Sequence, residues 1–335
     1  MITLSTPKTY QVSNSAMTTT LLELERPVQT EPIVARCYDF LDALFSLSGI
    51  EDYTEGIYQD QSTTYERAQK NQLNFLLDQI QCKKGSRILD IGCGAGTLLE
   101  EAEKRGARAI GITVSSAQVE RCRKKGLDVR LLDYRNMGDE WNGQFDGIVA
   151  NGSIEHFVQP QEAVEGRQDL IYHRLFQLCH RLLDRRSPSR RFATTIIHFR
   201  GKRINPNIAL RNPLSLPYGS DEFYYAWLAQ SYGGYYPVVG QLEKCAKPWF
   251  ALAYQTDGTY DYYLASKEWM KRMYATLINP VKMPLVWKEI VRWVFRHPRQ
   301  ITMGLLGVLI FQSWIWQFKT KSPPMILLRQ TWHAI

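Results

Sequence analysis

Apolar runs alternate with helical patterns through the middle of the chain. Five short apolar runs are typical of buried strands: residues 86–92, 107–114, 127–134, 144–150 and 193–199. Helical spacing of apolar positions predicts helices between them, after residue 97, over 116–125 and over roughly 168–183. Strands that alternate with helices in this way predict βαβ units, and therefore an α/β fold with a mostly parallel sheet. Right-handed crossovers then place the carboxyl ends of the strands along one edge, where ligands bind.

One apolar, uncharged run lies near the end of the chain. Residues 301–318 approach the length of a membrane-spanning helix. The run includes Gln312, Ser313 and Gln317, however, and its second half alternates like a strand. These features favour a short buried helix followed by a core strand at Trp316–Thr320 over a membrane span.

The composition along the chain predicts five regions. Residues 1–30 are rich in Ser, Thr, Gln and Pro, which is typical of a flexible arm. They contain no basic region followed by an apolar run, so we expect no secretory signal there. We expect a helical lid over 31–80 and a Rossmann-like, cofactor-binding core over 81–200. A substrate cap with a sixth strand should follow over 201–300, and a helix with the final strand and a tail over 301–335.

The overall composition is that of a globular protein of 335 residues, with 44% hydrophobic and 22% charged side chains. These proportions exclude a wholly disordered chain, and 22 Gly with 15 Pro exclude a collagen-like one. The six cysteines form no CxxC pair, which argues against a zinc ribbon or a disulfide scaffold. A reducing, cytoplasmic location is the simplest interpretation, and we predict no metal site.

The net charge of +8 is concentrated in one stretch. Nine basic residues and one acid, Asp184, lie between Arg181 and Arg211, on both sides of the fifth strand. Such a stretch is usually a solvated loop, but it also suits docking on an anionic lipid surface, a carrier protein or a diphosphate. Residues 287–296 add a basic amphipathic helix that either lies on a membrane surface or packs on the core. No nucleic-acid recognition motif accompanies the charge.

A glycine-rich turn follows the first predicted strand. Asp90, Gly92, Gly94 and Gly96 form an acid followed by GxGxG, at a junction between strand and helix. Glycine permits positive φ and close approach of the backbone to a ligand. A carboxylate is a poor neighbour for a phosphate, but it suits a cofactor with an ammonium group and a sulfonium. The turn therefore predicts S-adenosylmethionine (SAM) rather than a dinucleotide, and the alternative is a purely structural turn.

Three further motifs carry a family resemblance: the GITVSSAQ run at 111–118, the Asp133-Tyr134-Arg135 run, and the Glu155-His156 pair within Ile154–Phe157. With them, the sequence resembles the cyclopropane-fatty-acid synthase and mycolic-acid methyltransferase family over roughly residues 38–160. The likeness continues more weakly through His198, Tyr260 and the predicted strand at 316–320.

The resemblance implies a fold, a cofactor and a reaction. The fold is a class I methyltransferase core, with a seven-stranded, mostly parallel sheet and a helical lid and cap. The reaction transfers a methylene or methyl group from SAM to an alkene carbon of an unsaturated lipid acyl chain.

The resemblance also assigns roles to residues. For the cofactor it implies, from the amino-acid end to the adenine, Tyr53 and Thr54, Gly92 and Gly94, Thr113 and Gln118, and Asp133 and Tyr134. For the reacting carbon it implies Glu155, which holds a bicarbonate in the family, together with His198 and Tyr260. Without the resemblance, His198 is better explained as a core histidine, and Glu155 with His156 as a solvated loop.

One position departs from the family pattern. The family has Tyr-Ser-Cys where this chain has Tyr53-Thr54-Glu55, and that cysteine contacts the bicarbonate. A carboxylate beside bound bicarbonate is repulsive, so we hypothesise that Glu55 replaces the anion and acts as the base. Alternatively, the chain methylates without closing a ring, acts on an amine or an isoprenoid, or retains only SAM or lipid binding.

Seven aromatic side chains lie within residues 223–236. The sequence leaves two explanations open for them: a packed cap, or the wall of an acyl or isoprenoid pocket.

Overall fold

The computed structural model describes residues 44–296 and 307–335, with a seven-stranded sheet at the centre. The strands are β1 (Arg87–Ile91), β2 (Arg108–Thr113), β3 (Val129–Leu131), β4 (Gly147–Asn151), β5 (Arg191–Phe199), β6 (Phe250–Asp257) and β7 (Met325–Ala334). Their order is β3-β2-β1-β4-β5-β7-β6, and β7 runs antiparallel to both β5 and β6. The predicted α/β fold with a mostly parallel, seven-stranded sheet is confirmed.

Helices fill most of the connections between the strands. They are α1 (Tyr65–Gln79), α2 (Thr97–Lys104), α3 (Ser116–Lys124), α4 (Pro160–Val164), α5 (Gln168–Leu182), α6 (Pro206–Ala209), α7 (Asp221–Tyr232), α8 (Gln241–Ala246), α9 (Thr259–Ile278), α10 (Met283–Arg296) and α11 (Gly307–Gln317). Side-chain oxygens fix several starting points: Thr64 caps α1, Ser115 caps α3 and Ser220 caps α7 by accepting a backbone N–H from the first turn.

The strand order creates a crevice at one edge of the sheet. Strands β1 and β4 are neighbours, but the chain leaves β1 towards β2 on one side and leaves β4 towards β5 on the other. Because the two connections diverge, a gap remains beyond the carboxyl ends of these strands. The glycine turn after β1 and the Glu155-His156 pair after β4 both lie at this edge.

The predicted final strand at 316–320 is wrong. Trp316 and Gln317 end α11, whose side chains at Trp314, Trp316 and Gln317 are all buried. The alternation in this run therefore comes from a buried helix end rather than from a strand. The true last strand, β7, is disguised in the sequence because Arg329 and Gln330 interrupt its apolar run, although both are buried. The third strand is also shorter than predicted, because Asp133 caps a 3₁₀ turn at Tyr134–Asn136.

Some predictions fall on residues outside the described part. These are the arm at 1–30, the lid as far as residue 43, and residues 301–306 of the uncharged run. Within the described residues, no helix combines the length and apolar character needed to cross a bilayer. The proposed domain boundaries remain a prediction.

The basic stretch from Arg181 to Arg211 does not form one surface, which corrects the prediction of a single docking face. Strand β5 runs through its middle and separates Arg191 from Phe199 by roughly 26 Å, at about 3.3 Å per residue. Several of the charges are also engaged: Arg186 pairs with Asp184, and Arg200 pairs with Asp257. The charges are contiguous in sequence but lie at opposite edges of the sheet.

Gly111 in β2 offers a test of packing between the sheet and α2. A Cβ there would lie 2.6 Å from Cys93 Sγ and 2.8 Å from Leu99 Cδ1. We expect Gly111→Ala to lower the free energy of unfolding by about 1–3 kcal/mol through overpacking. Gly201 is the matched control, since a Cβ there meets nothing within 4 Å. Urea unfolding should show Gly201→Ala within about 0.5 kcal/mol of the parent, and equal stability of the two variants would contradict the packing argument.

Candidate functional site

A cavity of about 150 Å³ occupies the crevice at the carboxyl ends of β1, β2 and β4. Nearly all the residues predicted to bind the cofactor line it: Tyr53, Thr54, Asp90, Gly92, Gly94, Thr113, Gln118, Asp133 and Tyr134. Gly96 lies at the end of the same glycine turn, as the N-cap of α2. The structure therefore brings together residues that are far apart in the sequence.

The glycine turn lets the backbone approach this cavity closely. Gly92, Gly94 and Gly96 have φ values of 83°, 51° and 78°, a region that other residues rarely adopt. A Cβ on Gly92 would lie 2.6 Å from Ser153 Cβ, so the turn packs tightly against the chain after β4. A Cβ on Gly94 would meet nothing within 4 Å, so space remains above the middle of the turn.

Two carboxylic acids line one end of the cavity. Asp90 is the penultimate residue of β1 and is almost fully buried. Its Oδ1 accepts no hydrogen bond from the described residues. Burial raises the pKa of Asp90 to about 8. Asp52, which sequence reasoning did not single out, accepts a 2.6 Å hydrogen bond from Thr97 Oγ1, and burial raises its pKa to about 6. No motif marks Asp52; the only signal is its place directly before Tyr53.

The opposite side of the cavity carries hydroxyl and amide groups. Thr113 Oγ1 donates a 2.7 Å hydrogen bond to Gln118 Oε1, and both residues are buried. Ser115 caps α3 between them. These groups can hydrogen-bond to ribose hydroxyls, the role that the resemblance implies for Thr113 and Gln118.

An aromatic surface and a carboxylate flank the third part of the cavity. Tyr134 stacks on Phe157 with ring centroids 4.1 Å apart and an interplanar angle of 19°. Asp133 forms a 2.7 Å ion pair with Arg135. Stacked rings beside a polar edge suit a planar heterocycle such as adenine.

A second, smaller cavity of about 50 Å³ adjoins the first, and Tyr53, Gly152 and His156 line both. Its wall is largely aromatic: Phe45, Tyr53, Tyr232, Tyr236, Tyr262, Trp269 and Trp314. Most of the seven aromatic side chains within residues 223–236 pack inside the cap. Phe223, Tyr225 and Trp227 are buried away from the cavity, whereas Tyr232 and Tyr236 line it. The packed cap therefore accounts for most of these side chains, and the pocket-wall explanation stays a prediction for Tyr232 and Tyr236.

Glu155 supplies the carboxyl group of this second cavity. The residue is 3% exposed, and its Oε2 accepts no hydrogen bond from the described residues. Burial raises the pKa of Glu155 to about 8, with a smaller contribution from the negative charge of Glu55. Burial also lowers the pKa of neighbouring His156 to about 4, so its imidazole is neutral at physiological pH.

Glu55 lies behind this cavity, in a buried ion-pair cluster. Arg329 of β7 donates a 3.0 Å hydrogen bond to Glu55 Oε1 and a 2.8 Å hydrogen bond to Asp261 Oδ2. Gly258 makes room for the guanidinium, since a Cβ there would lie 2.7 Å from Arg329 Cζ. Burial raises the pKa of Glu55, and Arg329 acts in the opposite direction. The carboxylate of Glu55 lines neither cavity.

His198 and Tyr260 are not at the site, which corrects both predictions. Ile197 lines the second cavity, and successive side chains of a strand point to opposite faces, so His198 faces the other side of the sheet. Its Nδ1 lies 3.0 Å from Ile196 O, and burial lowers its pKa to about 4. Tyr260 is 63% exposed and stacks on Tyr263, whereas its neighbour-but-one Tyr262 lines the cavity.

Comparisons with known proteins agree with this geometry. The family model for mycolic acid cyclopropane synthetase matches residues 26–283, more than three quarters of the chain. The cyclopropane-fatty-acyl-phospholipid synthase of Escherichia coli K12 is 38% identical over 128 residues. That match covers 36% of this chain and 32% of the relative, so the chain matches about a third of the length of this relative.

Solved structures show the same fold over nearly the whole chain. A mycolic acid cyclopropane synthase complexed with SAH and CTAB has a TM-score of 0.65 at 18% identity, covering 90% of this chain and 97% of that one. A coclaurine N-methyltransferase bound to N-methylheliamine and SAH has a TM-score of 0.69 at 14% identity, covering 97% and 90%. The fold is therefore that of class I SAM-dependent methyltransferases.

Arg329 provides a test of the buried charge cluster. Its removal in Arg329→Met leaves Glu55 and Asp261 without their shared cation, and we expect a loss of about 3–5 kcal/mol in the free energy of unfolding near neutral pH. The loss should shrink in acid, because burial raises the pKa of Glu55 and its carboxylate can then be protonated.

Arg87 is the matched control, since it also contacts two carboxylates, Asp146 and Asp184, but its side chain is 36% exposed. Arg87→Met should cost about 1 kcal/mol or less in the same urea unfolding experiment. A loss for Arg329→Met no larger than that for Arg87→Met would show that the buried cluster contributes nothing special.

Proposed function

The chain belongs to the mycolic acid cyclopropane synthetase family, and from that premise we propose that it is a SAM-dependent carbon methyltransferase. Its acceptor is an alkene carbon of an unsaturated lipid acyl chain. The observation that carries the proposal is the pair of adjoining cavities with the shared wall of Tyr53, Gly152 and His156. One cavity is polar and suits the cofactor, and the other is aromatic and suits an apolar acceptor.

The residues of the first cavity fit SAM. Asp90 offers a buried carboxyl group without a partner among the described residues, which suits the ammonium group. Gly94 leaves room above the turn, Gln118 and Thr113 would hydrogen-bond to the ribose, and Tyr134 would contact the adenine. When bound, SAM supplies an electrophilic methyl group on a sulfonium.

The second cavity suits the reacting part of the acceptor. An alkene is a weak nucleophile, and it must be held within about 3–3.5 Å of the methyl carbon and in line with it. The aromatic rings exclude water and stabilise positive charge that develops on the acceptor carbon by about 0.5–2 kcal/mol per ring.

Glu155 is the base in this proposal. After the acceptor carbon has bonded to the methyl group, its neighbouring carbon is cationic, and loss of a proton closes a ring or restores a double bond. Glu155 is the carboxyl group that lines the second cavity, and it takes that proton. Its pKa of about 8 places the carboxylate close to the operating pH, where general bases are most effective.

Bicarbonate does not fit the second cavity well. Of the contacts that the resemblance implies for it, His198 faces the other side of the sheet, Tyr260 is exposed, and Glu55 replaces the cysteine. Only Glu155 remains in place. Bicarbonate therefore has no role in the proposed reaction.

The hypothesis that Glu55 is the base receives no support from the geometry. Its carboxylate is held by Arg329 at 3.0 Å and faces neither cavity. Arg329 offsets part of the charge of Glu55, which weakens the repulsion that motivated the hypothesis. In the proposal, Glu55 positions Arg329 and the chain around Tyr53.

An amine methyltransferase is the second candidate. The observation that favours it is the combination of aromatic rings with the carboxyl group of Glu155, which also suits a protonated amine and can take its proton to free the lone pair that receives the methyl group. The two candidates differ in the atom that receives the methyl group, and therefore in the product.

Lipid analysis of cells that express the chain tests the proposal. We expect unsaturated acyl chains to gain the mass of one CH₂ unit, and NMR of the product to show a new carbon–carbon bond. Glu155→Gln should lower turnover by about 10²–10⁴ while SAH binding is retained, because a general base contributes that much. Turnover of the parent should rise with pH towards about 8 as Glu155 loses its proton.

Glu165→Gln is the control, because it removes a surface carboxylate that pairs only with Arg167 and Gln161 in the described structure. It should retain full turnover. New N-methyl signals would favour the amine candidate, and SAH binding without any methylated product would favour a binding protein. A rate that depends on added bicarbonate would contradict the direct role of Glu155.

We also propose that the chain reaches its acceptor at a membrane surface through α10. Trp287, Val291 and Phe295 recur at every fourth residue, so they share one face of the helix, and they are 50%, 48% and 81% exposed. The end of α9 and the following turn add the exposed Ile278 and Val281. An apolar band of this size usually marks an interaction surface.

The charges around this band favour anionic lipid. Residues 282–296 contain four basic side chains, at Lys282, Lys288, Arg292 and Arg296, and one acid, Glu289. Apolar residues on one face with an excess of basic residues are typical of helices that lie in a bilayer interface. This region replaces the Arg181–Arg211 stretch as the candidate for peripheral contact.

Co-sedimentation with liposomes tests the surface. The double variant Trp287→Ser, Phe295→Ser should weaken binding to vesicles that contain phosphatidylglycerol by about tenfold or more, since it removes two exposed aromatic anchors. SAH binding should stay unchanged. Leu252→Ser, at a 38% exposed position on β6, is the control and should bind vesicles like the parent. Equal binding of the double variant and the control would overturn this surface.

A further inference from the structure

The end of the cofactor cavity beside the glycine turn is formed by two acids from different parts of the chain. Asp90 is the penultimate residue of β1, and Asp52 lies in the segment before α1. Both line the cavity, and the negative charge of Asp52 contributes to the raised pKa of Asp90. Two carboxyl groups that share a site repel each other when both are ionised.

Asp52 is held in place by neighbours on two helices. Thr97, the first residue of α2, donates its hydroxyl to Asp52 Oδ1 at 2.6 Å. Tyr65 of α1 donates its hydroxyl to the backbone carbonyl of Asp52 at 2.8 Å and receives the indole N–H of Trp269 at 2.9 Å. Because Trp269 lines the second cavity, this chain of hydrogen bonds connects the two cavities.

The cations near Asp52 are committed to other acids. Lys125 Nζ lies 2.7 Å from Glu51 Oε1 and 2.7 Å from Glu100 Oε1, and Arg121 lies 3.8 Å from Glu51. The other titratable neighbours of Asp90 are the buried thiols of Cys93 and Cys122. The described residues that line the cavity include one arginine, Arg135. It pairs with Asp133 beside the predicted adenine site.

This end of the cavity therefore has an excess of negative charge that the surrounding side chains do not balance. Burying an ionised carboxylate without a partner is costly, so the unliganded site keeps a proton. A ligand that brings a positive charge can take the place of that proton. The α-ammonium group of SAM is such a charge, and it is the part of the cofactor that a site next to a glycine turn and two acids would receive.

We propose that Asp52 joins Asp90 in a two-carboxylate receptor for the α-ammonium group of SAM, and that the cofactor binds with release of about one proton. The proposal rests on the proposed function, because it concerns the same cofactor. It adds a cofactor-binding residue that the family resemblance does not assign, and it makes cofactor affinity depend on pH.

The direction of the pH effect follows from the two acids. Burial raises the pKa of Asp52 to about 6 and that of Asp90 to about 8, so near neutral pH the unliganded pair holds about one proton. Binding of an ammonium group favours the ionised forms. Affinity for the cofactor should therefore rise with pH between about 6 and 8, by up to about tenfold per pH unit.

Calorimetry with S-adenosylhomocysteine and 5′-methylthioadenosine tests the receptor. Both probes carry the adenosine, and only the first carries the ammonium group. In buffers of different ionisation enthalpy near neutral pH, S-adenosylhomocysteine should release about one proton and methylthioadenosine none. Zero release with S-adenosylhomocysteine would overturn the proton-linked part of the proposal.

Asp52→Asn identifies the residue. We expect it to weaken S-adenosylhomocysteine binding by about tenfold or more and to leave methylthioadenosine binding unchanged. Glu103→Gln is the control, since it removes the same charge from an exposed position on α2, and it should bind both probes like the parent. Equal weakening of both probes in Asp52→Asn, or none, would overturn the role of Asp52.

The failure of this inference is distinct from the failure of the proposed function. If the parent binds neither probe, the chain does not use SAM and the proposed function fails. If the parent binds S-adenosylhomocysteine with an affinity independent of pH and of Asp52, only the receptor fails.

Discussion

The buried guanidinium of Arg329 joins the three parts of the chain on which both cavities depend. It binds Glu55 in the segment before α1, Asp261 at the start of α9, and the Gly56 carbonyl at 2.7 Å, all from β7 in the sheet. The segment that it anchors carries Asp52, Tyr53 and Thr54 into the first cavity. The helix that it anchors carries Tyr262 and Trp269 into the second. One cation therefore sets the position of the wall of the first cavity relative to the wall of the second.

The buried acids divide into two groups with different consequences. Glu55 and Asp261 share a cation inside the protein, and each carboxylate has an ion-pair partner when the protein is folded. Asp90 and Glu155 have no such cation among the described residues, and burial is the main cause that raises the pKa of each to about 8. The first pair connects three parts of the structure, whereas Asp90 and Glu155 line the two cavities. Electrostatic balance thus separates supporting residues from those suited to chemistry.

Local pattern predicted the first five strands and the glycine turn, because burial of a parallel strand and the φ values of a tight turn leave direct marks on the sequence. Features that depend on three-dimensional phase were not predictable. His198 and Ile197 differ by one residue in β5 and point to opposite faces, and Tyr260 and Tyr262 differ by two residues in α9 and only Tyr262 reaches the cavity. Strand β7 escaped because its buried Arg329 and Gln330 have partners far away in the sequence, Glu55 and Glu243 among them. Asp52 belongs to no motif, and only its position opposite Asp90 gives it significance.

The order of the strands also has a consequence for biosynthesis. Strand β7 follows β6 in the chain but lies between β5 and β6 in the sheet. A nascent chain that has emerged only as far as α9 therefore exposes the unpaired edge of β5, and Glu55 and Asp261 still lack their cation. Such edges favour association with other chains, so this interval is when the protein has most need of a chaperone. When β7 inserts, the sheet is completed and Arg329 forms its ion pairs with Glu55 and Asp261 in the same event.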